Sequence, residues 1–215
     1  MARGMFISFE GSDGSGKSTH IRLLSDKLRQ HGYAVTVTRE PGGCPIAEKI
    51  RAIVLDREHG EMTPVAEALL YAAARAQHVS EVILPALERG EIVITDRFLD
   101  SSIAYQGVGR GLGVDLIRQV NGPATGGLMP DVTFFMSVDT GESARRISDR
   151  DQDRLELAGK GFHDRVYAGF TQLARENPGR IVTIDATKPK PEVHAAVLAA
   201  VEAKLFAAKN GEIKK

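Results

Sequence analysis

The chain has 215 residues, 42% hydrophobic and 26% charged. This is the composition of one globular domain, long enough to bury a core without disulfide or metal staples, and it excludes global disorder. Lys plus Arg and Asp plus Glu each number 28, so the balanced charge argues against coating nucleic acid or an anionic membrane, and any bound anion must be held by local clusters. The single cysteine, Cys44, excludes an internal disulfide and fits a reducing compartment. No apolar run reaches the ~18 residues of a membrane span. Met1-Ala2-Arg3-Gly4 leads straight into a strand-like segment rather than a secretory signal, so the expected location is the cytoplasm.

The first predicted strand is Met5–Phe9, followed at once by Gly11-Ser12-Asp13-Gly14-Ser15-Gly16-Lys17-Ser18, which fits G-x-x-x-x-G-K-[ST]. The motif opens a helix whose Ile21, Leu24 and Leu28 recur at helical spacing and which Gly32 stops. Strand, phosphate loop and helix in that order are the context the motif requires. Glycines let backbone N–H groups approach phosphate oxygens, and the helix N-terminus adds positive charge. Lys17 is expected to reach the β- and γ-phosphates of a nucleotide, and the Ser18 hydroxyl to ligate Mg²⁺.

A second strand, Ala34–Thr38, leads into Arg39-Glu40-Pro41-Gly42-Gly43. Thr63-Pro64 reads as an N-cap with proline at the first helical position. The helix it opens is apolar nearly all round through Ala68-Leu69-Leu70-Tyr71-Ala72-Ala73-Ala74, so it is expected to be central or covered by a partner. Pro85 is expected to end or kink the chain beyond this helix. The third strand, Ile92–Thr95, runs into Asp96-Arg97. Strands at Thr133–Val138 and Ile181–Ile184 flank a segment at 149–161 that reads as a mobile stretch between two helices. A last helix carries Val193, Val197, Val201 and Leu205 on one stripe, and the tail from Ala207 is expected to fray. Alternating strands and helices imply an α/β domain with a five-stranded, mostly parallel sheet flanked by helices.

Ligands of such sheets bind beyond the carboxyl ends of the strands. Asp96 stands where a second Mg²⁺-holding carboxylate belongs, and Arg39 and Arg97 are fork-shaped phosphate donors. With the P-loop serving the donor, two further arginines point to a second phosphorylated ligand, most economically a nucleoside monophosphate. The chain lacks the Asp-x-x-Gly and Asn-Lys-x-Asp signatures of a GTPase switch downstream of the P-loop. The rival readings are a P-loop kinase for another acceptor and a nucleotide-binding module without transfer. Asp149, Asp151 and Asp153 alternate like a calcium loop, but Arg154 and Lys160 occupy the required Gly and Glu positions. The histidines show no i, i+4 pair to suggest zinc, and Cys44 reads as a small filler.

Over nearly its whole length the chain resembles the bacterial thymidylate kinase family. The resemblance is carried by Phe9-Glu10-Gly11, Arg39-Glu40-Pro41-Gly42-Gly43, the run from Leu69 to His78, Asp96-Arg97-Phe98, the run from Asp100 to Gly107, and the lid-like Asp149-Arg150-Asp151-Gln152-Asp153-Arg154. It implies a P-loop NTPase fold in one domain, with a lid at about 149–161, transfer of the γ-phosphoryl group of ATP to dTMP with Mg²⁺ in dTTP synthesis, and a homodimer. Gly11, Ser12, Asp13, Gly14, Ser15, Gly16, Lys17, Ser18 and Thr19 would hold ATP, with Ser18 and Asp96 at the metal. By resemblance, Tyr71 would stack on thymine where the family has phenylalanine, and Arg75, with Arg51 nearby, would bond the base edge. Pro41, Ser102 and Gln106 would line the pocket, and Asp13 would take the 3′-hydroxyl. Arg39 and Arg97 would clamp the acceptor phosphate. Gly14 replaces the P-loop arginine of one class, so the catalytic charge would come from Arg150 and Arg154, alongside Lys17, Asp96 and Arg97.

Overall fold

The computed structural model describes residues 3–149 and 151–209. The strands are β1 (Phe6–Glu10), β2 (Val35–Arg39), β3 (Ile92–Asp96), β4 (Val132–Ser137) and β5 (Ile181–Asp185). The helices are α1 (Lys17–Gln30), α2 (Pro45–Leu55), α3 (Pro64–His78), α4 (Leu84–Glu88), α5 (Leu99–Ser102), α6 (Val114–Thr125), α7 (Thr140–Ile147), α8 (Lys160–Glu176) and α9 (Lys190–Lys209). The strands form one parallel sheet in the order β2-β3-β1-β4-β5. Each lies within one residue of its expected bounds, because a short β-branched or aromatic run buried on both faces has no competing helical period.

Burial follows position in the sheet. The central strands β1, β3 and β4 are almost wholly buried, while the edge strands β2 and β5 are partly exposed. Phe6, Val93 and Phe135 pack with Ile83, Val166 and Phe170 on one face. Ile7, Phe9 and Phe134 pack with Leu24 and Leu28 of α1 and Val197 and Val201 of α9 on the other. Each fully buried leucine or phenylalanine contributes about 2 kcal/mol relative to exposure.

Gly32, at φ 83°, ends α1, where its N–H bonds the Arg29 carbonyl and that of Tyr33 bonds Leu28. Thr63 caps α3, its Oγ1 accepting from the Ala66 N–H at 3.3 Å. Pro85 neither ends nor breaks its helix. A widened π-type turn at Val79–Ile83 passes the chain into α4, and Pro85 sits in the first turn of that helix, where a missing N–H costs least. At the C-terminus α9 runs through Lys209; residues 210–215 of the expected frayed tail lie outside the described residues. Among the described residues, no helix is long and apolar enough to cross a membrane.

The chain runs from β1 out to β2, returns to β3, then crosses to β4 on the far side of β1. That reversal opens a crevice at the carboxyl end of β1. Asp96 pairs in register with Phe9 of β1 and Arg39 of β2, so three functional strand ends stand level beside the crevice.

Candidate functional site

The loop after β1 is shaped by close backbone approach. A Cβ on Gly11 (φ 128°) would lie 2.7 Å from the Met136 carbonyl oxygen, and one on Gly14 (φ 80°) would lie 2.9 Å from that of Ser143. Lys17 is buried, and its Nζ donates to the Gly11 and Ser12 carbonyls at 3.0 Å each. Burial, and then the nearby Arg97 guanidinium, lower its pKa. The Ser15 hydroxyl is buried without a hydrogen-bond partner among the described residues. The Ser18 hydroxyl donates to Asp96 Oδ2 at 3.1 Å. These two hard oxygen ligands lie at one point of the P-loop cleft, so they fit a shared magnesium ion.

Arg97 holds the centre. It is the one described non-glycine residue at positive φ, 72°. Its N–H bonds the Phe9 carbonyl at 2.9 Å, and its own carbonyl accepts from Thr95 Oγ1 at 2.8 Å. This turn sends the side chain back over the P-loop. There Nη1 reaches the Gly11 carbonyl at 2.9 Å and Ser101 Oγ at 3.1 Å, and Nη2 reaches Asp13 at 3.0 Å and the Tyr105 hydroxyl at 3.2 Å.

Two cavities meet at this side chain. The larger is lined by Gly14, Gly16, Lys17, Ser18, Thr19, Arg39, Asp96 and Arg146. The smaller is lined by Pro41, Tyr71, Arg75, Ser102, Gln106 and Tyr105, with Asp153 and Leu155 closing it. Asp13, Glu40, Arg51 and Arg97 border both. Lys17 and Arg97 therefore open into a common cleft.

Of the expected clamp residues, Arg39 stands at the cleft but is paired with Glu48, its Nη2 2.9 Å from both carboxylate oxygens. Arg51 donates to the Pro41 carbonyl at 2.8 Å. Arg75 is not the surface charge that helical position alone suggests; it is 1% exposed. Its Nε donates to Glu40 at 2.7 Å, Nη1 to Ser102 at 3.0 Å and to Asn121, and Nη2 to the Phe98 carbonyl at 3.1 Å. His78 bonds the other Glu40 oxygen at 2.9 Å, completing a buried charged platform under the smaller cavity. Burial, with Glu67 next in effect, raises the Tyr71 pKa, which keeps the phenol neutral.

One of the two expected lid arginines lies elsewhere. Arg154 does not join the P-loop cleft: its Nη2 is 2.7 Å from Glu67 Oε2 and 2.9 Å from the Val54 carbonyl. The physical reason is local. Asp153 caps the N–H groups of Leu155 and Glu156, Glu156 returns a carboxylate to the Asp153 N–H, and Leu155 is buried in the core. Asp153 and Leu155 thus form part of the wall of the smaller cavity. Arg150 lies outside the described residues. The arginine found at the P-loop is instead Arg146 of α7, whose Nη1 meets the Gly14 carbonyl at 3.2 Å. Sequence reasoning missed it, although the Arg145-Arg146 pair just before the lid was a visible signal. It also missed Glu40, Asn121 and Tyr105 as site residues; Glu40 and Tyr105 fall within motifs already singled out.

Glu10 is fully buried, accepting from the Phe98 N–H at 2.8 Å and from Ser101 Oγ at 2.5 Å. Burial, then the Asp100 charge, raise its pKa from 4.5 to about 8. The folded state therefore holds this proton more tightly than the unfolded chain. Its contribution to stability is complete below about pH 4.5 and is lost as pH rises through about 8. Glu10→Gln preserves the acceptor for Phe98 and is expected to flatten this decline, by the order of a few kcal/mol between pH 5 and 8. Urea unfolding across that range measures it; parallel curves for both proteins would count against the assignment.

A phosphate loop, the Ser18–Asp96 oxygen pair in its cleft and an arginine-bordered second cavity on one crevice define a P-loop nucleotide kinase. The thymidylate kinase family model matches residues 9–197. Similar curated proteins include the thymidylate kinases of Exiguobacterium sp. (strain AT1b), 54% identical over 85% of this chain and 87% of that protein, and of Deinococcus radiodurans, 50% identical over 94% and 98%. The crystal structure of thymidylate kinase from Ehrlichia chaffeensis matches with TM-score 0.76 at 36% identity, covering 93% of this chain and 99% of that one. The chain belongs to the thymidylate kinase family.

Proposed function

We infer that this protein transfers the γ-phosphoryl group of ATP to dTMP, releasing ADP and dTDP for dTTP synthesis. The observation that carries the reading is the common border of the two cavities: Arg97 stands between the phosphate loop and a pocket floored by Tyr71, Arg75 and Gln106. The transfer breaks the bond from the γ-phosphorus to the β–γ bridging oxygen and forms one to a dTMP phosphate oxygen. Positioning and charge stabilisation supply most of the catalysis in such a reaction. Lys17 and the loop N–H groups hold the donor phosphates, and Arg97, with Arg39 and Arg51 beside it, holds the acceptor phosphate. Magnesium held by Ser18 and Asp96 would offset phosphate charge. Arg146 flanks the donor side, and Arg150 remains the lid arginine assigned to the transferring group.

Coupled ADP release measured across dTMP, dUMP, dCMP, dGMP and AMP tests the reading. Strong preference for dTMP is expected. ATP binding with no acceptor-dependent ADP release would select the non-catalytic alternative.

The homodimer is proposed to form through α2 and α3. Ile46, Ile53, Val65 and Leu69 are each about half exposed there, at 51%, 46%, 50% and 52%. Such an apolar face on a helix pair is suited to a second copy. Leu69→Glu is expected to shift the sedimentation coefficient from dimer to monomer at micromolar concentration while preserving the monomer fold. A wild-type monomer under those conditions would reject the interface.

A further inference from the structure

Glu67 is the one charged residue in the first three turns of α3, and it is wholly buried. It does not line the smaller cavity; it lies behind Gln106, which does. Its Oε1 accepts from Gln106 Nε2 at 2.9 Å, while Arg110 and Arg154 reach Oε2 at 3.0 and 2.7 Å. A carboxylate only accepts hydrogen bonds, so Gln106 must turn its NH₂ toward Glu67. Its amide oxygen takes no hydrogen bond from any described residue and remains for the cavity. Arg75 lines the same cavity and can only donate. Its Nε, both Nη1 protons and one Nη2 proton are used by Glu40, Ser102, Asn121 and Phe98, leaving one N–H of the five.

We propose that Glu67 is a positioning residue for base selection: by fixing the orientation of the Gln106 amide, it sets an acceptor oxygen in the pocket whose donor is Arg75. This rests on reading the cavity as the acceptor site. The pattern matches an imide edge, in which a carbonyl oxygen accepts and the ring N–H donates. It opposes the cytosine edge, whose ring nitrogen is an acceptor and would face the Gln106 oxygen, and whose exocyclic amine would face the guanidinium. An amide free to rotate would offer its NH₂ to that ring nitrogen and lose the distinction.

The test compares kcat/KM for dTMP and dCMP in wild type, Glu67→Gln and Glu67→Asp. Glutamine at 67 can donate to the Gln106 oxygen and so permits the reversed amide. Aspartate keeps the charge between the two arginines but is one methylene too short to hold Gln106. Both are expected to narrow the dTMP:dCMP ratio at least ~10-fold, chiefly through a raised KM for dTMP. A merely structural role would depress both acceptors alike, so an unchanged ratio in a folded variant overturns the proposal. Should neither variant fold, the wild-type protein still decides. The ¹⁵N side-chain amide of Gln106, assigned by its loss in Gln106→Leu, should be protected from hydrogen exchange with and without dTMP, and a freely exchanging amide refutes the fixed orientation. Wild type that turns over no dTMP rejects the functional reading itself, whereas robust dTMP turnover with an unshifted ratio rejects only the role of Glu67.

Discussion

Replacing Arg97 by alanine is expected to lower kcat/KM for dTMP by about 10³ or more. The side chain borders both cavities, and its two terminal nitrogens already span the Gly11 carbonyl, Ser101, Asp13 and Tyr105. An acceptor phosphate entering beside it meets a planar fork preset by β3 and the turn at residue 97. Arg97→Lys retains a charge but has no fork, so it is expected to recover only a small part of the loss. Steady-state kinetics with dTMP varied at saturating ATP measure the effect, and a melting curve establishes that the variants are folded. Near wild-type kinetics for the alanine variant would remove Arg97 from the mechanism.

The second large effect is expected at Lys17. Lys17→Met preserves most of the stem volume and removes the ammonium group, and kcat is expected to fall roughly 10³-fold. That group donates to the carbonyls of Gly11 and Ser12 and lies within the influence of Arg97, Asp96 and Asp13. The loop's own backbone thus restrains the side chain, which lowers the ordering cost of holding a phosphate there. Single-turnover measurements separate a loss in the transfer step from weaker ATP binding. An unchanged single-turnover rate would show that the ammonium group does not act on the transferring phosphoryl group.

The sheet was legible because its apolar runs are short, separated and bounded by turn residues. The P-loop was legible because its pattern is local and its context, strand before and helix after, can be read from the same twenty residues. Strand-end position drew attention to Asp96 and Arg97, which then fell at the same level as Phe9 and Arg39 in the register. What escaped were associations set by tertiary packing. Glu67 meets Gln106, Arg110 and Arg154, three residues scattered over later elements, and no spacing rule links them. The pairing of Arg154 with Glu67 escaped for the same reason, since its charge suits a phosphate as well as it suits a buried carboxylate. The exposure of Val65 and Leu69 gives a physical account of the helix that looked apolar all round: one side belongs to the core and the other remains outside it.

The attachment of Arg154 to Glu67 makes the nucleoside pocket and the neighbouring chain segment thermodynamically reciprocal. One carboxylate grips a pocket amide on one side and a cation from the 149–161 stretch on the other. The free energy by which the second grip favours a ligand must equal that by which the ligand favours the second grip. Saturation with dTMP alone, without any ATP, should therefore slow tryptic cleavage after Arg154. Equal cleavage rates in free and saturated protein would mean that the two grips are energetically independent.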